Sequence, residues 1–529
     1  MLLDALGMPD TLPPLGLIDV DTVVTDIGDV GEDFATVARL QHQNSAVVHN
    51  GIPITYGELA ARVDRTAVRY RARRDGRSAL VGVLVSHTPA VVEHLLAVMQ
   101  AGATYCPIDA ALPAARRLAL AGVMGLDQLV TADLDSGAPG DGAIETIDWR
   151  ATTAAQEHSQ AFGQADAPAY VLCTSGSTGA PKPVMVSRGA LVATVRALRQ
   201  LFALTPDDRV LQFASLGWDT CLEEILPALT AGATLIFDDA AYSGSFPRFV
   251  RMLAEQSVTM LDLPTAFWHE LVLYLHEEGT ALPDSVRLVV IGGERVDPTR
   301  LRQWRGLDLG DVRLLNTYGC TETTMVTHAV QLSGPGTEPD VMTADVEAPL
   351  GRPLPHTRDH VTDDGELLVS GASLATGYLG LAERTAAGFS VSDHGDGPTR
   401  WFHTGDIVTR GRSGLLYAHG RVDEQVKVLG VRVHPAEVEA QLNAHPAVAG
   451  AVVVGERLLA RTALVAYVVA AKPVTSGELK RHLAERLPRQ FVPSRVKFIT
   501  ALSYTPSGKV DRAATRRAAM EHDGKGADQ

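Results

Sequence analysis

Short apolar runs alternate with amphipathic stretches over most of the chain, from about Phe34 to Gly420. Apolar runs of about four to eight residues predict buried strands, and apolar residues spaced three and four apart predict helices. Alternation of this kind is typical of an α/β fold in which helices cover the faces of parallel sheets. The predicted strands are Leu80–Val85, Arg209–Phe213, Val286–Ile291 and Val312–Leu315, and the predicted helices are Ala90–Gln100 and Cys221–Thr230.

The pattern changes at two later places. Residues Asp359–Gly371, which include the turn dipeptide Asp364-Gly365, predict antiparallel β-structure. After Gly420 the segments indicate a compact α+β unit of domain size. We therefore predict a large N-terminal domain, residues 34–421, with parallel-type sheets flanked by helices and a β-rich subdomain, and a small C-terminal α+β domain, residues 422–520. The segments of the small domain are Val422–Val433, Pro435–Ala444, Ala447–Val454, Ala463–Val469, Ser476–Arg486 and Val496–Thr500.

The two ends of the chain differ from the rest. Residues 1–33 carry eight acidic residues and no basic one, and the first arginine is Arg39. We interpret residues 1–33 as an N-terminal extension outside the domain. Residues 521–529 are short and polar, which predicts a disordered tail.

Charge and composition exclude several classes of protein. The 529 residues carry a net charge of −15, which repels nucleic acid and anionic lipid, so neither is an expected partner. The four cysteines have no C-x-x-C pairing, which argues against a zinc site or a disulfide framework. No signal peptide is recognisable, and Val81–Thr104, the best candidate membrane span, is interrupted by His87, Glu93 and His94. The expected location is the cytoplasm.

Lysine is scarce and unevenly placed. The chain has 7 lysines against 40 arginines, and Lys182 is the only lysine before Lys427. A lysine retained in such a chain is a candidate for work that needs a compact ammonium group instead of a planar guanidinium.

Lys182 ends a loop rich in hydroxyl groups and glycine. The loop Thr174-Ser175-Gly176-Ser177-Thr178-Gly179-Ala180-Pro181-Lys182 follows the apolar run Tyr170–Cys173. Hydroxyl and backbone N–H donors on a turn, with a cation at its end, suit a polyphosphate. The spacing of a Walker loop is absent. The alternative interpretation is a Ser/Gly-rich surface loop.

Six further motifs accompany the phosphate loop along the chain. They are Thr55-Tyr56-Gly57-Glu58-Leu59, Ala101-Gly102-Ala103-Thr104-Tyr105-Cys106-Pro107-Ile108-Asp109, Asn316-Thr317-Tyr318-Gly319-Cys320-Thr321-Glu322, Thr404-Gly405-Asp406, Gly420-Arg421-Val422-Asp423-Glu424-Gln425-Val426-Lys427 and Pro506-Ser507-Gly508-Lys509-Val510-Asp511-Arg512. Chance would not produce all these motifs in the same order. With them, the chain from about Ile54 to Arg512 resembles the adenylate-forming superfamily, and specifically the adenylation domains of nonribosomal peptide synthetases.

The resemblance implies an ATP site and a mobile small domain. Tyr318 would stack on adenine, Asp406 would accept both ribose hydroxyls, and Glu322 would help to hold Mg²⁺. Lys509 would reach the reacting carboxylate and the α-phosphate, where charge develops. Asp423 would be the hinge of the small domain. The implied catalytic residues are Lys509, Lys182 and Glu322, and the implied ATP-binding residues are Thr174, Ser175, Gly176, Ser177, Thr178, Gly179, Lys182, Tyr318, Thr321, Asp406 and Arg421.

Two residues depart from the family pattern. Pro183 follows the phosphate loop where the family has glycine, which removes one backbone N–H donor. Cys320 replaces a proline, which we expect to loosen the turn. Neither change removes an implied catalytic side chain, so we expect an active enzyme.

The same resemblance implies an amino acid pocket that begins at Trp218-Asp219-Thr220-Cys221. Asp219 would pair with the α-ammonium group of the substrate, a group that acyl- and aryl-CoA ligases do not bind. The alternative role of Asp219 is that of an exposed helix cap. The implied substrate-binding residues are Asp219, Thr220, Glu223, Asp262, Val290, Gly292, Thr317, Met325 and Val326, with Lys509 above them.

Two further acidic residues in that set indicate the substrate. Glu223 lies one helical turn after Asp219, and Asp262 ends an apolar strand, where a carboxylate needs a partner. A cationic side chain of the substrate would be that partner, and lysine, ornithine and β-lysine fit about equally, whereas arginine fits less well. The alternatives are that Glu223 points outward with Glu224 or that Asp262 pairs with a protein arginine.

We expect ATP-dependent formation of an aminoacyl-AMP, then transfer to the phosphopantetheine thiol of a separate carrier protein, because no carrier domain follows Arg512. An MbtH-like helper protein is a further expected partner, at Leu112–Leu120.

Three rival hypotheses remain: an acyl-CoA ligase of the same fold, opposed by Asp219; a phosphate-loop kinase, opposed by the missing Walker spacing; and a non-catalytic scaffold, opposed by Lys182, Glu322, Asp406 and Lys509. An adenylation domain for a neutral amino acid is the other alternative.

Overall fold

The computed structural model describes residues 28–73, 79–132, 145–148, 164–176, 179–342, 347–395, 397–458, 461–503 and 510–525. Ser177, Thr178 and Lys509 lie outside the described residues. The strands in the described part are β1 Ser45–His49, β2 Ile52–Thr55, β3 Leu80–Val85, β4 Thr104–Asp109, β5 Gln128–Thr131, β6 Glu145–Asp148, β7 Pro168–Thr174, β8 Lys182–Ser187, β9 Arg209–Leu211, β10 Thr234–Phe237, β11 Met260–Pro264, β12 Leu288–Gly292, β13 Arg313–Tyr318, β14 His328–Ser333, β15 Arg352–Pro353, β16 Thr357–Val361, β17 Glu366–Gly371, β18 Gly377–Tyr378, β19 Phe389–Asp393, β20 Pro398–Arg410, β21 Leu416–Arg421, β22 Val426–Val428, β23 Val431–Val433, β24 Val448–Leu458, β25 Arg461–Ala470 and β26 Arg495–Phe498.

The helices lie mostly between these strands. Within the described ranges, none of them combines the length and the apolar character that crossing a bilayer requires. They are α1 Val30–Leu40, α2 Tyr56–Arg73, α3 Ala90–Gln100, α4 Ala114–Met124, α5 Arg188–Phe202, α6 Thr220–Ala231, α7 Phe246–Glu255, α8 Thr265–Glu278, α9 Pro298–Arg305, α10 Pro339–Met342, α11 Ala382–Gly388, α12 Pro435–Asn443, α13 Ser476–Ala484 and α14 Arg512–Lys525.

Two large sheets with parallel centres form the body of the protein, as the alternating pattern predicts. One sheet has the order β15-β14-β13-β12-β11-β9-β10-β1-β2, and the other has the order β18-β8-β7-β4-β3-β5-β6. In the first sheet the six neighbouring strands β13, β12, β11, β9, β10 and β1 pair in parallel. The strand pairs at its two edges are antiparallel. The central strands are apolar and buried on both faces, as parallel strands between helix layers are.

The predicted element boundaries are close to the observed ones. The strand Leu80–Val85 and the helix Ala90–Gln100 are confirmed to the residue. The strand predicted to run from Arg209 to Phe213 ends at Leu211, because the backbone N–H groups of Phe213 and Ala214 donate to the carboxylate of Glu224 instead of to a neighbouring strand.

A third sheet is antiparallel, as Asp359–Gly371 predicts. Its strands have the order β16-β17-β20-β19, and β21 pairs with β20. In the register of β20 and β21, Asp406 lies opposite Arg421. That register brings two residues of the expected nucleotide site together although 15 positions separate them.

The residues after Arg421 form a separate layer. Strands β24, β25 and β26 make one small sheet, and β22 and β23 make a hairpin. Helices α12 and α13 pack on this sheet through Val438, Leu442, Leu479 and Leu483, which are fully buried. The predicted disordered tail from residue 521 is wrong in part, since α14 continues to Lys525; residues 526–529 lie outside the described part.

The predicted N-terminal extension of residues 1–33 is also wrong at its inner end. Helix α1 begins at Val30, and Asp29 caps it by accepting a hydrogen bond from the Gly31 N–H at 2.7 Å. The other carboxylate oxygen of Asp29 accepts from Arg188 of α5 at 2.7 Å, with both side chains buried. Asp29 and Asp33 therefore belong to the fold, because Arg188 and Arg196 of α5 face them.

The small domain lies against the large one through polar contacts. Arg116 of α4 forms a buried ion pair with Glu437 of α12 and lies over the ring of Phe491. At the tip of the β22–β23 hairpin, the Gly430 N–H donates to Glu294 at 2.5 Å. The first contact is a buried ion pair and the second a partly buried hydrogen bond, and both join residues of the two domains.

The role of Asp29 is open to a direct test. Asp29→Asn keeps a helix cap of similar quality but leaves the buried guanidinium of Arg188 without its carboxylate. We expect the free energy of unfolding in urea to fall by about 3–5 kcal/mol. Asp33→Asn is the matched control, because the pair of Asp33 with Arg196 is about a quarter exposed. That variant should lose less than about 1 kcal/mol, and equal losses in both variants would contradict the assignment.

Candidate active site

The phosphate loop connects two neighbouring antiparallel strands. Thr174 ends β7 and Lys182 begins β8, and the two residues are paired in the ladder. The turn needs its glycines. A β-carbon on Gly176 would overlap the carbonyl oxygen of Ala180, and Gly179 has a φ of +84°. The loop therefore folds back tightly, and Lys182 comes to lie beside Thr174.

Lys182 faces Glu322. The Lys182 Nζ lies 3.8 Å from Glu322 Oε1, which also accepts hydrogen bonds from the Tyr378 hydroxyl at 3.1 Å and the Thr174 hydroxyl at 3.5 Å. Burial alone would raise the pKa of Glu322, but the charges of Lys182 and Arg432 outweigh burial and lower that pKa below its ordinary value. Glu322 is therefore an ionised carboxylate inside the protein.

Glu322 is suited to a magnesium ion. Its Oε2 is buried and has no hydrogen-bond partner among the described residues. An ionised, partly unsatisfied carboxylate next to a phosphate loop matches the preference of Mg²⁺ for one carboxylate plus phosphate oxygens. Within the described residues no cluster of three or more metal-binding side chains occurs, so the protein alone does not form a closed metal cage.

The two departures from the family pattern have little effect on this geometry. Pro183 lies in β8, beyond Lys182, and its carbonyl accepts from the Leu379 N–H at 2.8 Å. The expectation that Cys320 loosens its turn is wrong. The backbone N–H and the Sγ of Cys320 lie 3.3 and 3.2 Å from the Thr323 hydroxyl, which donates back to the Cys320 carbonyl at 3.0 Å.

Tyr318, Asp406 and Arg421 form a connected group. The Tyr318 hydroxyl donates to Asp406 Oδ2 at 2.6 Å, and Arg421 Nη1 donates to Asp406 Oδ1 at 2.7 Å. Burial acts to raise the pKa of Asp406, but Arg421 and Lys427 lower it further than burial raises it. Arg421 also binds Asp423, with Nε 2.6 Å from Oδ1. Asp406, the expected ribose ligand, and Asp423, the expected hinge residue, therefore both bind Arg421.

The β22–β23 hairpin brings two cations into this site. Lys427 Nζ lies 5.6 Å from the centroid of the Tyr318 ring, and Arg432 Nη1 lies 3.5 Å from Glu322 Oε2. The Arg432 carbonyl accepts from the Ser175 hydroxyl of the phosphate loop at 2.9 Å. Burial and the neighbouring Arg432 lower the pKa of Lys427 to about 8.

Sequence reasoning missed the role of these two cations. Lys427 is the last residue of a family motif and received no role of its own. It is nevertheless the first lysine after Lys182 in a chain with few lysines. Nothing in the sequence distinguishes Arg432 from 39 other arginines.

The expected substrate pocket contains three buried carboxylates. Asp219, Glu223 and Asp262 have exposed fractions of 9%, 7% and 3%. Asp219 precedes α6, and its side chain makes no hydrogen bond that caps the helix. Glu223 lies one turn along α6, and burial and then the charge of Asp262 on β11 raise its pKa.

None of these three carboxylates forms an ion pair with a described residue. Asp219 Oδ2 and Asp262 Oδ2 have no hydrogen-bond partner in the described part of the chain, and no ion pair of Asp219, Glu223 or Asp262 is found there. Burial raises the pKa of each of the three, and raises that of Asp262 to about 7. The alternatives of an Asp219 helix cap and an arginine partner for Asp262 do not match these contacts.

Glu224 has a different role from its neighbour. Its carboxylate is fully buried and accepts from the N–H groups of Phe213 and Ala214 at 3.0 and 2.9 Å, and from the Gln212 amide at 3.1 Å. The alternative that Glu223 points outward with Glu224 is wrong, because both are buried. Glu224 holds the loop that leads to Asp219.

The remaining pocket residues line the ends of parallel strands. Asp262 of β11 lies opposite Val290 of β12, and Gly292 lies opposite Thr317 of β13. A β-carbon on Gly292 would come within 2.6 Å of the Thr317 hydroxyl oxygen, so glycine is required there. Met325 and Val326 are buried after β13, and Thr220 at the start of α6 is partly buried.

Comparison with known proteins agrees with this geometry. The family profile "AMP-binding enzyme" matches residues 34–379, and "AMP-binding enzyme C-terminal domain" matches residues 437–509. The chain is 41% identical to the isonitrile lipopeptide synthase of Streptomyces coeruleorubidus, over 98% of this chain but 35% of that protein. It is 33% identical to novobiocin biosynthesis protein H of Streptomyces niveus, over 93% of this chain and 83% of that protein.

Solved structures share the fold. An artificially fused adenylation–carrier di-domain from Klebsiella oxytoca has a TM-score of 0.78 at 24% identity, covering 90% of this chain and 94% of that one. The o-succinylbenzoate CoA synthetase of Bacillus subtilis has a TM-score of 0.79 at 24% identity, covering 92% of this chain and 98% of that one. The chain spans only 35% or less of the length of three of its curated relatives. The matched profiles and relatives show that the chain belongs to the AMP-binding enzyme family of adenylate-forming acid–thiol ligases, as an adenylation domain of the nonribosomal peptide synthetase type.

Proposed function

We propose that the protein activates an amino acid with a basic side chain at the expense of ATP, and that it then transfers the aminoacyl group to the phosphopantetheine thiol of a carrier protein. The observation that carries this proposal is the set of three buried carboxylates, Asp219, Glu223 and Asp262, none of which forms an ion pair with a described residue. Burying ionisable carboxylates without partners is unfavourable by several kcal/mol. A ligand with two ammonium groups supplies the missing partners.

The first half-reaction is the attack of a substrate carboxylate oxygen on the α-phosphorus of ATP. A P–O bond forms to give aminoacyl-AMP, and the bond to pyrophosphate breaks. Lys182 and the loop donors would hold the phosphates, Tyr318 would cover the adenine, and Asp406 would accept the ribose hydroxyls. A bound Mg²⁺ would neutralise phosphate charge, held by Glu322. Lys509 would stabilise the charge that develops on the α-phosphate.

Asp219 is the proposed partner of the α-ammonium group. It lies buried at the start of α6, and we place the amine there, beside the expected site of the reacting phosphate. A carboxylate at that place favours amino acids over acids without an amine. The fold is shared with a CoA synthetase, so the fold does not distinguish the two activities. The carboxylate of Asp219 supports amino acid adenylation over an acyl-CoA ligase.

Glu223 and Asp262 are the proposed partners of the side-chain cation. They lie on α6 and β11, and Val290 of β12 pairs with Asp262 in the sheet. Two carboxylates about 4 Å from one ammonium attract it by several kcal/mol at an effective dielectric constant of about 20. Lysine, ornithine and β-lysine each place an ammonium at the end of a flexible chain, and arginine needs more room.

The second half-reaction needs a different arrangement of the small domain. Asp423, between β21 and the hairpin, is the proposed hinge, and its link to Arg421 ties the hinge to the ribose site. The thiolate of the carrier would attack the aminoacyl carbonyl, a C–S bond would form, and AMP would leave. A helper protein at Leu112–Leu120 would meet α4, which already contacts the small domain through Arg116. ATP as a substrate fits a cytoplasmic location.

Substrate choice is tested by ATP–pyrophosphate exchange over the proteinogenic amino acids plus ornithine, β-lysine and diaminobutyrate. We expect exchange with a basic amino acid and little with its neutral isostere, such as norleucine for lysine. Glu223→Gln and Asp262→Asn should each lower kcat/KM for the basic amino acid by about 10- to 100-fold, because half of the countercharge is lost. Asp284→Asn, an exposed carboxylate, is the control. Strong exchange with a neutral amino acid only would refute the basic-substrate proposal.

The role of the phosphate loop is tested at Lys182. Lys182→Met should lower exchange by about 100-fold, since the variant leaves Glu322 and the phosphates without the ammonium. Lys472→Met, which removes an exposed lysine of the small domain, should leave the rate unchanged. Retention of exchange within about twofold in Lys182→Met would show that the loop lysine does not contact the reacting phosphates.

A variant of Lys509 tests whether this residue acts in adenylation only or in both half-reactions. Lys509→Ala should lower exchange by about 100-fold or more, because the first transition state loses a positive charge. The same variant, given synthetic aminoacyl-AMP and the phosphopantetheinylated carrier, should form the thioester at nearly the normal rate. Lys525→Ala is the control. Equal loss of both activities in Lys509→Ala would contradict a role confined to adenylation.

A further inference from the structure

Tyr318 and Asp406, the residues expected to bind adenine and ribose, belong to different sheets. Tyr318 ends β13 of the first large sheet, and Asp406 lies in β20 of the antiparallel sheet. One hydrogen bond joins the two side chains directly, from the Tyr318 hydroxyl to Asp406 Oδ2 at 2.6 Å. The relative position of these side chains decides how well a single nucleoside can contact both.

A second path of contacts joins the same two sheets. His328 of β14 is paired with Tyr318 in the ladder, and the His328 Nε2 lies 3.1 Å from Asp359 Oδ2 of β16. Arg410 Nη2 lies 2.9 Å from the same oxygen, and Arg410 is the last residue of β20, the strand that carries Asp406. This path therefore leads from Tyr318 back to the strand of Asp406.

The polar contacts of His328 fix the orientation of its ring. The carboxylate of Asp359, paired with Arg410, only accepts hydrogen bonds, so the His328 Nε2 carries a hydrogen and donates it. The other ring nitrogen, Nδ1, lies 2.8 Å from the Thr327 hydroxyl. The Thr327 N–H in turn donates to the Tyr318 carbonyl at 2.9 Å. A turn of the imidazole ring would break both of its contacts.

The fixed imidazole packs against the tyrosine ring. The centroids of the His328 and Tyr318 rings lie 5.7 Å apart with an angle of 68° between the planes, which is an edge-to-face arrangement. His328 is fully buried. The tyrosine also belongs to a cluster of apolar residues from the antiparallel sheet, Leu367, Val369, Val408 and Leu416. Another apolar residue would suffice for packing, whereas a hydrogen-bonded histidine adds a directional support at the edge of the ring.

This support lies within the large domain. Lys427 also lies near the Tyr318 ring, 5.6 Å from its centroid, but it belongs to the hairpin of the small domain. The proposed rotation of the small domain would move Lys427 and leave His328 in place. The histidine would therefore support the tyrosine through both half-reactions.

We propose that His328 is a positioning residue of the nucleotide site, which fixes the ring of Tyr318 relative to the carboxylate of Asp406. It does so through Asp359 and Arg410, which connect it to β20. Adenine and ribose would then meet a stacking surface and an acceptor already at the correct separation, so less binding energy is lost in ordering them. This inference rests on the nucleotide roles proposed for Tyr318 and Asp406, and it holds for any amino acid substrate.

Replacing His328 by leucine removes both the ring contact and the hydrogen bond to Asp359. For His328→Leu we expect the Kd for AMP, measured by isothermal titration, and the KM for ATP in pyrophosphate exchange to rise by about 10-fold. The KM for the amino acid and the kcat at saturating ATP should stay within about twofold, because a misplaced Tyr318 weakens ground state and transition state alike. Equal rises in both KM values, or an unchanged Kd for AMP, would overturn the inference.

His94→Leu is the matched control. His94 is also fully buried, its Nδ1 lies 2.5 Å from the Tyr70 hydroxyl, and the two rings meet at 72° with centroids 5.9 Å apart. We expect this variant to lower the melting temperature as His328→Leu does, and to leave the Kd for AMP unchanged. A rise in that Kd equal to the rise in His328→Leu would show a general effect of lost packing and would overturn the inference.

A second variant separates the two contacts of the histidine. His328→Phe keeps an aromatic ring beside Tyr318 but has no hydrogen to donate to Asp359, and the Kd for AMP should rise by about threefold. If His328→Leu does not fold, this variant decides, and an unchanged Kd would overturn the inference. Nucleotide binding that depends on His328, in a protein that shows no exchange with any amino acid, would support the inference and overturn the proposed function.

Discussion

A carboxylate buried in a protein needs a cation or several hydrogen-bond donors, and this requirement accounts for the arrangement of the residues expected to bind ATP. Glu322 is held ionised by Lys182 and Arg432, and Asp406 by Arg421 with help from Tyr318. These contacts draw the phosphate loop, the end of a central strand and the hairpin of the small domain to one place. The domains are therefore joined by charge neutralisation at the site as much as by apolar packing.

The sheets provide the rigid support for these charges. Because the carboxyl ends of neighbouring parallel strands lie together, β11, β12 and β13 bring Asp262, Val290 and Thr317 to one edge. Two glycines permit the close approaches: a side chain on Gly319 would overlap the Met325 carbonyl, and one on Gly292 would crowd Thr317. Side chains placed by strand register move little, which suits the discrimination of one ammonium group that we propose.

Much of this arrangement was predictable from sequence, and the missing part has a physical explanation. Strand and helix periodicity predicts the α/β body, and ordered motifs predict the nucleotide residues. Periodicity does not show that Asp29 belongs to the fold, because its arginine partner is 159 residues away. For the same reason the sequence gives no indication that Arg432 reaches Glu322. Long-range ion pairs depend on tertiary structure, and local pattern contains no trace of them.

The contact between Arg116 and Glu437 has a thermodynamic consequence. One side of helix α4 is occupied by the small domain in this orientation, and a rotated small domain would expose it. A molecule that binds α4 more tightly in one orientation of the small domain favours that orientation. The equilibrium between the orientations shifts by the ratio of the molecule's affinities for them. Occupancy of helix α4 would thus set how the protein divides its time between the two orientations proposed for the small domain.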